Sequence, residues 1–122
     1  MKTHFILIED DPQQLESIKL AIERHYPGVE VQTLETESDF YDHLAQIPKF
    51  DERLRMVICD VMLPWAFPSV DAPLPPADVI KETFRKAGLR CWKKFRQRED
   101  LRSVPWIYFT VLDEKNNRIS KS

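Results

Sequence analysis

Oxygen-bearing side chains follow directly on short apolar runs at three places in the chain. Glu9, Asp10 and Asp11 come after Phe5-Ile6-Leu7-Ile8, Asp60 comes after Met56-Val57-Ile58-Cys59, and Thr110 ends Val104-Pro105-Trp106-Ile107-Tyr108-Phe109. An apolar, β-rich run that stops at a carboxylate is how a strand buried on both faces of a parallel sheet reads. In such sheets ligands bind at the carboxyl ends of the strands, so the acids and the hydroxyl are expected to converge on one pocket. Carboxylates gathered there repel one another and need a cation or raised pKa values. Mg²⁺ is the natural occupant, because it takes hard oxygen ligands and keeps several waters. With phosphate as the incoming group, the metal would neutralise charge while an aspartate oxygen attacks phosphorus in line. The nearby hydroxyl can then hydrogen-bond a phosphoryl oxygen.

The elements that must position these groups are legible in outline. Residues 4–9 form a first strand. Asp11-Pro12 offers a cap followed by proline at a first helical position, and Leu15, Ile18, Ala21 and Ile22 recur at helical spacing, which predicts a helix over 12–25. Tyr26-Pro27-Gly28 breaks it, and Val29 to Leu34 alternates as a half-exposed strand. Thr36 or Ser38 caps a helix whose apolar stripe is Phe40, Leu44 and Ile47, ending at Pro48. The strand 56–59 leads to Asp60, and five of the nine prolines then fall within 64–76, which excludes a regular helix there. A helix resumes near Ala77, a longer one follows Gly88 with Leu89, Trp92 and Phe95 on one side, and 104–109 is the last strong strand. Strands alternating with helices over short links imply a right-handed, mostly parallel sheet covered on both faces.

Bulk properties narrow the class. One domain over 1–122 is expected, with 43% hydrophobic residues to build its core. A formal charge of -2 gives no global reason to expect a nucleic-acid partner. The charge is unevenly spread, since residues 81–102 hold nine Lys/Arg against three acids and residues 1–60 hold thirteen acids against six Lys/Arg. Cys59 and Cys91 do not form a disulfide framework or a spaced metal site, and no run is long enough to span a bilayer, so a cytoplasmic protein with no membrane partner is expected.

Three blocks, Phe-Ile-Leu-Ile-Glu-Asp-Asp-Pro at 5–12, Val-Ile-Cys-Asp-Val-Met-Leu-Pro at 57–64 and Val-Pro-Trp-Ile-Tyr-Phe-Thr at 104–110, stand in the order found in receiver domains of two-component response regulators, which the chain resembles. The resemblance implies an α/β flavodoxin-like fold, a doubly wound parallel sheet of order 2-1-3-4. It implies that Asp60 is the phosphoacceptor and that Thr110 is the switch hydroxyl. It also implies Mg²⁺ held by Asp10 and Asp60 directly, by Glu9 through water and by the backbone carbonyl of Met62. The function implied is phosphorelay signalling, with Asp60 accepting a phosphoryl group from a phosphohistidine on a sensor histidine kinase or histidine phosphotransfer protein. Catalysis would extend at most to phosphorylation and dephosphorylation of Asp60 itself.

The chain departs from the family's pattern in three ways. The glycine that usually opens the helix after the phosphoacceptor loop is delayed to Gly88 by the 64–86 insertion, the residue after Thr110 is the bulky Val111, and 111–122 forms an atypical tail. The fifth strand is therefore expected to be absent or replaced, and neither Lys115 nor Lys121 takes the family lysine's role by spacing. The alternative reading is a degenerate receiver that binds proteins without phosphorylation. A metal-dependent phosphatase or nucleotidyl-type enzyme is weaker, because such sites commonly carry two aspartates one residue apart where this chain has Asp60-Val61-Met62. Other residues read more plainly. Asp11 is an N-cap, Cys59 a small buried hydrophobe, Trp92 and Phe95 core, and Lys81, Arg85, Lys86, Arg90, Lys93, Lys94, Arg96, Arg98 and Arg102 a solvated basic helix surface. His4, His25 and His43 are too scattered to form a cluster. Trp65, Phe67, Val70 and Leu74 are costly to leave in water, so 64–86 is expected to fold as a flap that gates Asp60 or offers a docking surface. The last strand's outer edge should be covered, either by Arg118-Ile119-Ser120 returning along it or by a second copy in a homodimer.

Overall fold

A computed structural model of the chain describes residues 2–109 together with the backbone of 112–113 and 118–119. Four parallel strands form the sheet: β1 (His4–Ile8), β2 (Glu30–Leu34), β3 (Leu54–Asp60) and β4 (Trp106–Phe109), in the order β2-β1-β3-β4. The helices are α1 (Pro12–His25), α2 (Glu37–Gln46), α3 (Ala77–Glu82) and α4 (Ala87–Arg96), with single 3₁₀ turns at Phe84–Lys86 and Glu99–Leu101.

The sheet is covered on both faces, and alternation along β1 shows how. Ile6 and Ile8 belong to a core with Phe40 of α2 and Ala87, Cys91 and Phe95 of α4, whereas Phe5 and Leu7 point the other way, onto Ile22 of α1. β3 splits likewise, Val57 and Cys59 to the first core and Met56 and Ile58 to the second. A strand that feeds two cores has no polar face, which is why β1 reads as an unbroken apolar run.

Local chemistry sets the helix ends. Asp11 accepts from the Gln13 amide at 3.0 Å with Pro12 opening α1, so Asp11 is an N-cap. Gly28, at φ +85°, makes the left-handed turn into β2. Of the two candidates for the α2 cap, Thr36 takes the role, its hydroxyl accepting from the Asp39 amide at 3.1 Å. The first two amides of α2 are held from outside the helix: Glu37 N–H donates to Pro64 O at 3.0 Å and Ser38 N–H to Trp65 O at 2.9 Å.

Several expectations are corrected. The face of α4 turned to the core is Ala87-Cys91-Phe95, while Leu89 is exposed and Trp92 only half-buried. The reason is Gly88: a Cβ there would lie 2.7 Å from Asp60 O and 3.0 Å from Val61 Cα, so the helix seats its smallest residues against the end of β3 and its rotation follows. Arg90 is not on a solvated basic surface but buried. Val104 and Pro105 lie outside β4, Pro105 contributing only its carbonyl to the Val57 amide. In the insertion, Val79 is buried and Trp65 is half-buried, but Phe67, Val70 and Leu74 stand in solvent; Leu63, just ahead of it, is buried. Arg118–Ile119 pairs antiparallel with Leu112–Asp113 as a separate two-stranded sheet rather than along β4. Among the described residues β4 is the sheet's edge, with Ile107 and Tyr108 partly exposed. No helix among them is long and apolar enough to cross a membrane.

Candidate functional site

Parallel pairing of β1 with β3 places Ile8 opposite Cys59, so the residues that follow, Glu9 and Asp60, leave the sheet side by side. Asp10 comes one residue further along the same turn. One carboxylate oxygen from each of Glu9, Asp10 and Asp60 lies within 4.8 Å of the other two. Glu9 is 0% exposed and Asp60 1%, with Asp10 at the half-buried mouth.

Backbone contacts fix the cluster. The Glu9 amide donates to Leu34 O at 2.9 Å, tying the turn to the end of β2, and Glu9 Oε1 accepts from the Asp11 amide at 2.9 Å. Asp60 Oδ1 accepts from the Met62 amide at 3.2 Å, which holds the β3 loop in a tight curl around the carboxylate. On the far side Gly88 N–H donates to Val61 O at 2.9 Å, so the first turn of α4 abuts that curl. Cys59 Sγ–H reaches Asp60 O at 3.1 Å, and burial pushes the Cys59 thiol well above its ordinary pKa; it is an apolar filler and hydrogen-bond donor rather than a nucleophile.

Three hard-oxygen donors at such spacing, one at the solvent edge, fit a small divalent cation that keeps part of its water shell, and Mg²⁺ meets that description. Of the residues expected at this site, Glu9, Asp10 and Asp60 come together. Met62 joins them through its amide, and Thr110, with Val111, lies outside the described residues. The histidines stay apart from the site, although His4 and His43 meet one another edge to face with ring centres 6.1 Å apart.

One network escaped the sequence reading. Arg90 grips Glu37 with two hydrogen bonds, Nε to Oε2 and Nη2 to Oε1, both 2.8 Å, and both side chains are buried. The same guanidinium donates to Thr83 O at 2.7 Å and reaches Glu82 Oε1 at 3.5 Å, and Tyr41 O–H donates to Glu37 Oε2. Burial, then the hydrogen bond to Glu37, raise the Tyr41 pKa, while that carboxylate raises the Arg90 pKa. Arg90 thereby ties α4 to the first turn of α2 and to the returning end of the insertion, where Thr83 sits at an unfavourable φ of 70°. No periodic signal marks it: Arg90 sits among other cations and Glu37 looks like an ordinary first-turn acid.

No protein-family model matches the sequence, and no curated protein sequence does. Among solved structures the chain is similar to the bacteriophytochrome response regulator AtBRR, with a TM-score of 0.62 at 19% identity over 95% of this chain and 71% of that one. With the 2-1-3-4 parallel sheet and its flanking helices, this similarity shows that the chain has the flavodoxin-like fold of response-regulator receiver domains.

Proposed function

We propose that the chain is a phosphorelay receiver, in which Asp60 accepts a phosphoryl group from a phosphohistidine on a sensor kinase or phosphotransfer protein. The observation that carries this reading is the meeting of Glu9, Asp10 and Asp60 at the carboxyl ends of adjacent parallel strands. An Asp60 oxygen attacks phosphorus as the P–N bond to the donor imidazole breaks, and the imidazole keeps the bonding electron pair and takes a proton from solvent. Bound Mg²⁺, on Asp10, Asp60 and the Met62 carbonyl with Glu9 acting through water, would offset the charge of the phosphoryl oxygens. The Met62 amide orients the Asp60 carboxylate, and Thr110 supplies the hydroxyl that follows the new phosphoryl group. The two free, buried cysteines accord with a reducing cytoplasm as the working compartment.

A second reading, a receiver retained as a protein-binding module, is favoured by one observation: α4 seats on the Asp60 carbonyl and the carboxylate is almost wholly covered. Incubation of the chain with a small acyl phosphate and Mg²⁺, followed by intact-mass measurement, separates the two. A gain of one phosphoryl group, lost in Asp60→Asn, is the expected result. An unmodified mass under conditions where the chain is folded and Mg²⁺ is bound would leave the binding-module reading standing.

A further inference from the structure

Two surface features that phosphoryl transfer does not use are matched to each other. The first is the proline-rich arm 64–76. Val70 is 102% exposed and Leu74 91%, so neither touches any other part of its own chain appreciably. Trp65 Nε1–H donates to Pro73 O at 2.9 Å and closes the arm into a loop. Pro68, Pro73, Pro75 and Pro76 fix φ and remove four amide donors, so the arm loses little conformational freedom on binding. Its charges are acidic, Asp71 on the arm and Asp78 where it enters α3, both exposed.

The second feature is a groove of about 1060 Å³ between α2 and α4, walled by Tyr41, Leu44, Ile47 and Phe50 and rimmed by Lys49 and Lys94. It is large for a small-molecule pocket, at the top of the ~300–1,000 Å³ range, and open enough for a peptide segment. Phe50 is a 77% exposed aromatic held at φ 58°, its amide fixed by Asp100 Oδ2 at 2.9 Å. A strained, exposed and anchored aromatic at the lip of a groove is a ready contact for an incoming chain. Arg98 and Asp100 neutralise each other at 2.7 Å, which leaves Lys49 and Lys94 facing the one acid Glu99.

We propose that the arm of one copy docks in the α2–α4 groove of a second copy, Val70 and Leu74 entering against Tyr41, Leu44 and Phe50 while Asp71 and Asp78 meet Lys49 and Lys94. A second copy is the occupant because apolar content and charge sign are complementary between the two features of this one chain. The arm also springs from the groove's own mouth, where the Trp65 ring packs on Tyr41 with centres 5.7 Å apart, so a twofold pair can exchange arms reciprocally. With exchange, the ten groove residues and the ten of 67–76 bring each side to the lower end of the roughly 20–30 residues of a stable interface. The proposal stands apart from whether Asp60 is phosphorylated.

Sedimentation equilibrium on the 122-residue chain tests it. A concentration-dependent dimer is expected, with Leu74→Asp and Lys94→Glu each raising the dissociation constant by about tenfold or more. Asp71→Lys combined with Lys94→Glu should restore association, and circular dichroism should be unchanged, because these side chains are exposed. A photo-crosslinking residue at position 70, in an equal mixture of light and heavy-nitrogen protein, should give crosslinked peptides of mixed isotope. A monomer at every concentration overturns the proposal. A dimer indifferent to Leu74→Asp, or crosslinks of uniform isotope that show the arm on its own groove, does so equally.

Discussion

Arg90 and Glu37 are the residues whose removal should be felt most. Both are buried and joined by two hydrogen bonds of 2.8 Å, so taking away one partner strands the other's charge in the core. Arg90→Met should cost about 3–5 kcal/mol in urea unfolding, and Arg90→Met with Glu37→Leu should recover much of that, because no charge is then left uncompensated. A loss below about 1 kcal/mol for the single variant would mean that water reaches Glu37 freely. The pair also illustrates what residue types conceal: a cation within a basic run carries no mark of burial, and only the packing of α4 against α2 distinguishes Arg90 from Arg96 or Lys93. Asp10, by contrast, announces itself by position, the residue after an apolar strand and an acid.

At the scale of elements, the contact of β1 with α2 carries a pH dependence. His4 and His43 are both held below the ordinary imidazole value of 6.5, in each case mainly by burial. At His4 the carboxylates of Glu30 and Asp51 oppose that shift and Arg53 adds to it, and at His43 the neighbouring His4 adds to it. A base with a lowered folded pKa binds fewer protons when folded than when unfolded, so its contribution to stability is complete above 6.5 and is lost as pH falls through 6.5 toward the folded value. Urea midpoints should therefore be flat above neutrality and decline in mildly acidic buffer, with a shallower decline in His43→Gln. Equal slopes for the two proteins would show that the decline belongs to carboxylates. Elements differ in how openly the sequence declares them. α1 was legible to the residue because Asp11-Pro12 and Tyr26-Pro27-Gly28 punctuate it. The core face of α4 was not, because Leu89 and Trp92 are more apolar than Ala87 and Gly88, and what decides the rotation is the room a glycine leaves beside Asp60.

For the whole molecule, the order 2-1-3-4 was implied by the resemblance to receiver domains, and a parallel α/β class was readable because strands alternate with helices over short links and three of the four strands end at an acid or a hydroxyl. The exposure of Val70 and Leu74 was not, since hydrophobicity argues for cover and says nothing of which chain supplies it. Global stability should respond to the acidic cluster. If the folded chain binds Mg²⁺ and the unfolded chain does not, Mg²⁺ at a hundred times its dissociation constant adds about 2.7 kcal/mol. The thermal midpoint should rise with Mg²⁺ and do so much less in Asp10→Asn, and equal rises would locate the metal elsewhere. The carbonyls of Pro64 and Trp65, which hold the Glu37 and Ser38 amides, reach further than helix capping. They belong to the loop that leaves Asp60, so two amide protons on a different helix act as its remote reporters. Any event at Asp60 that shifts this loop should change deuterium uptake at Glu37 and Ser38 before α2 itself unfolds, and uptake there that is the same with and without a phosphoryl analogue and Mg²⁺ would mean the loop stays where it is.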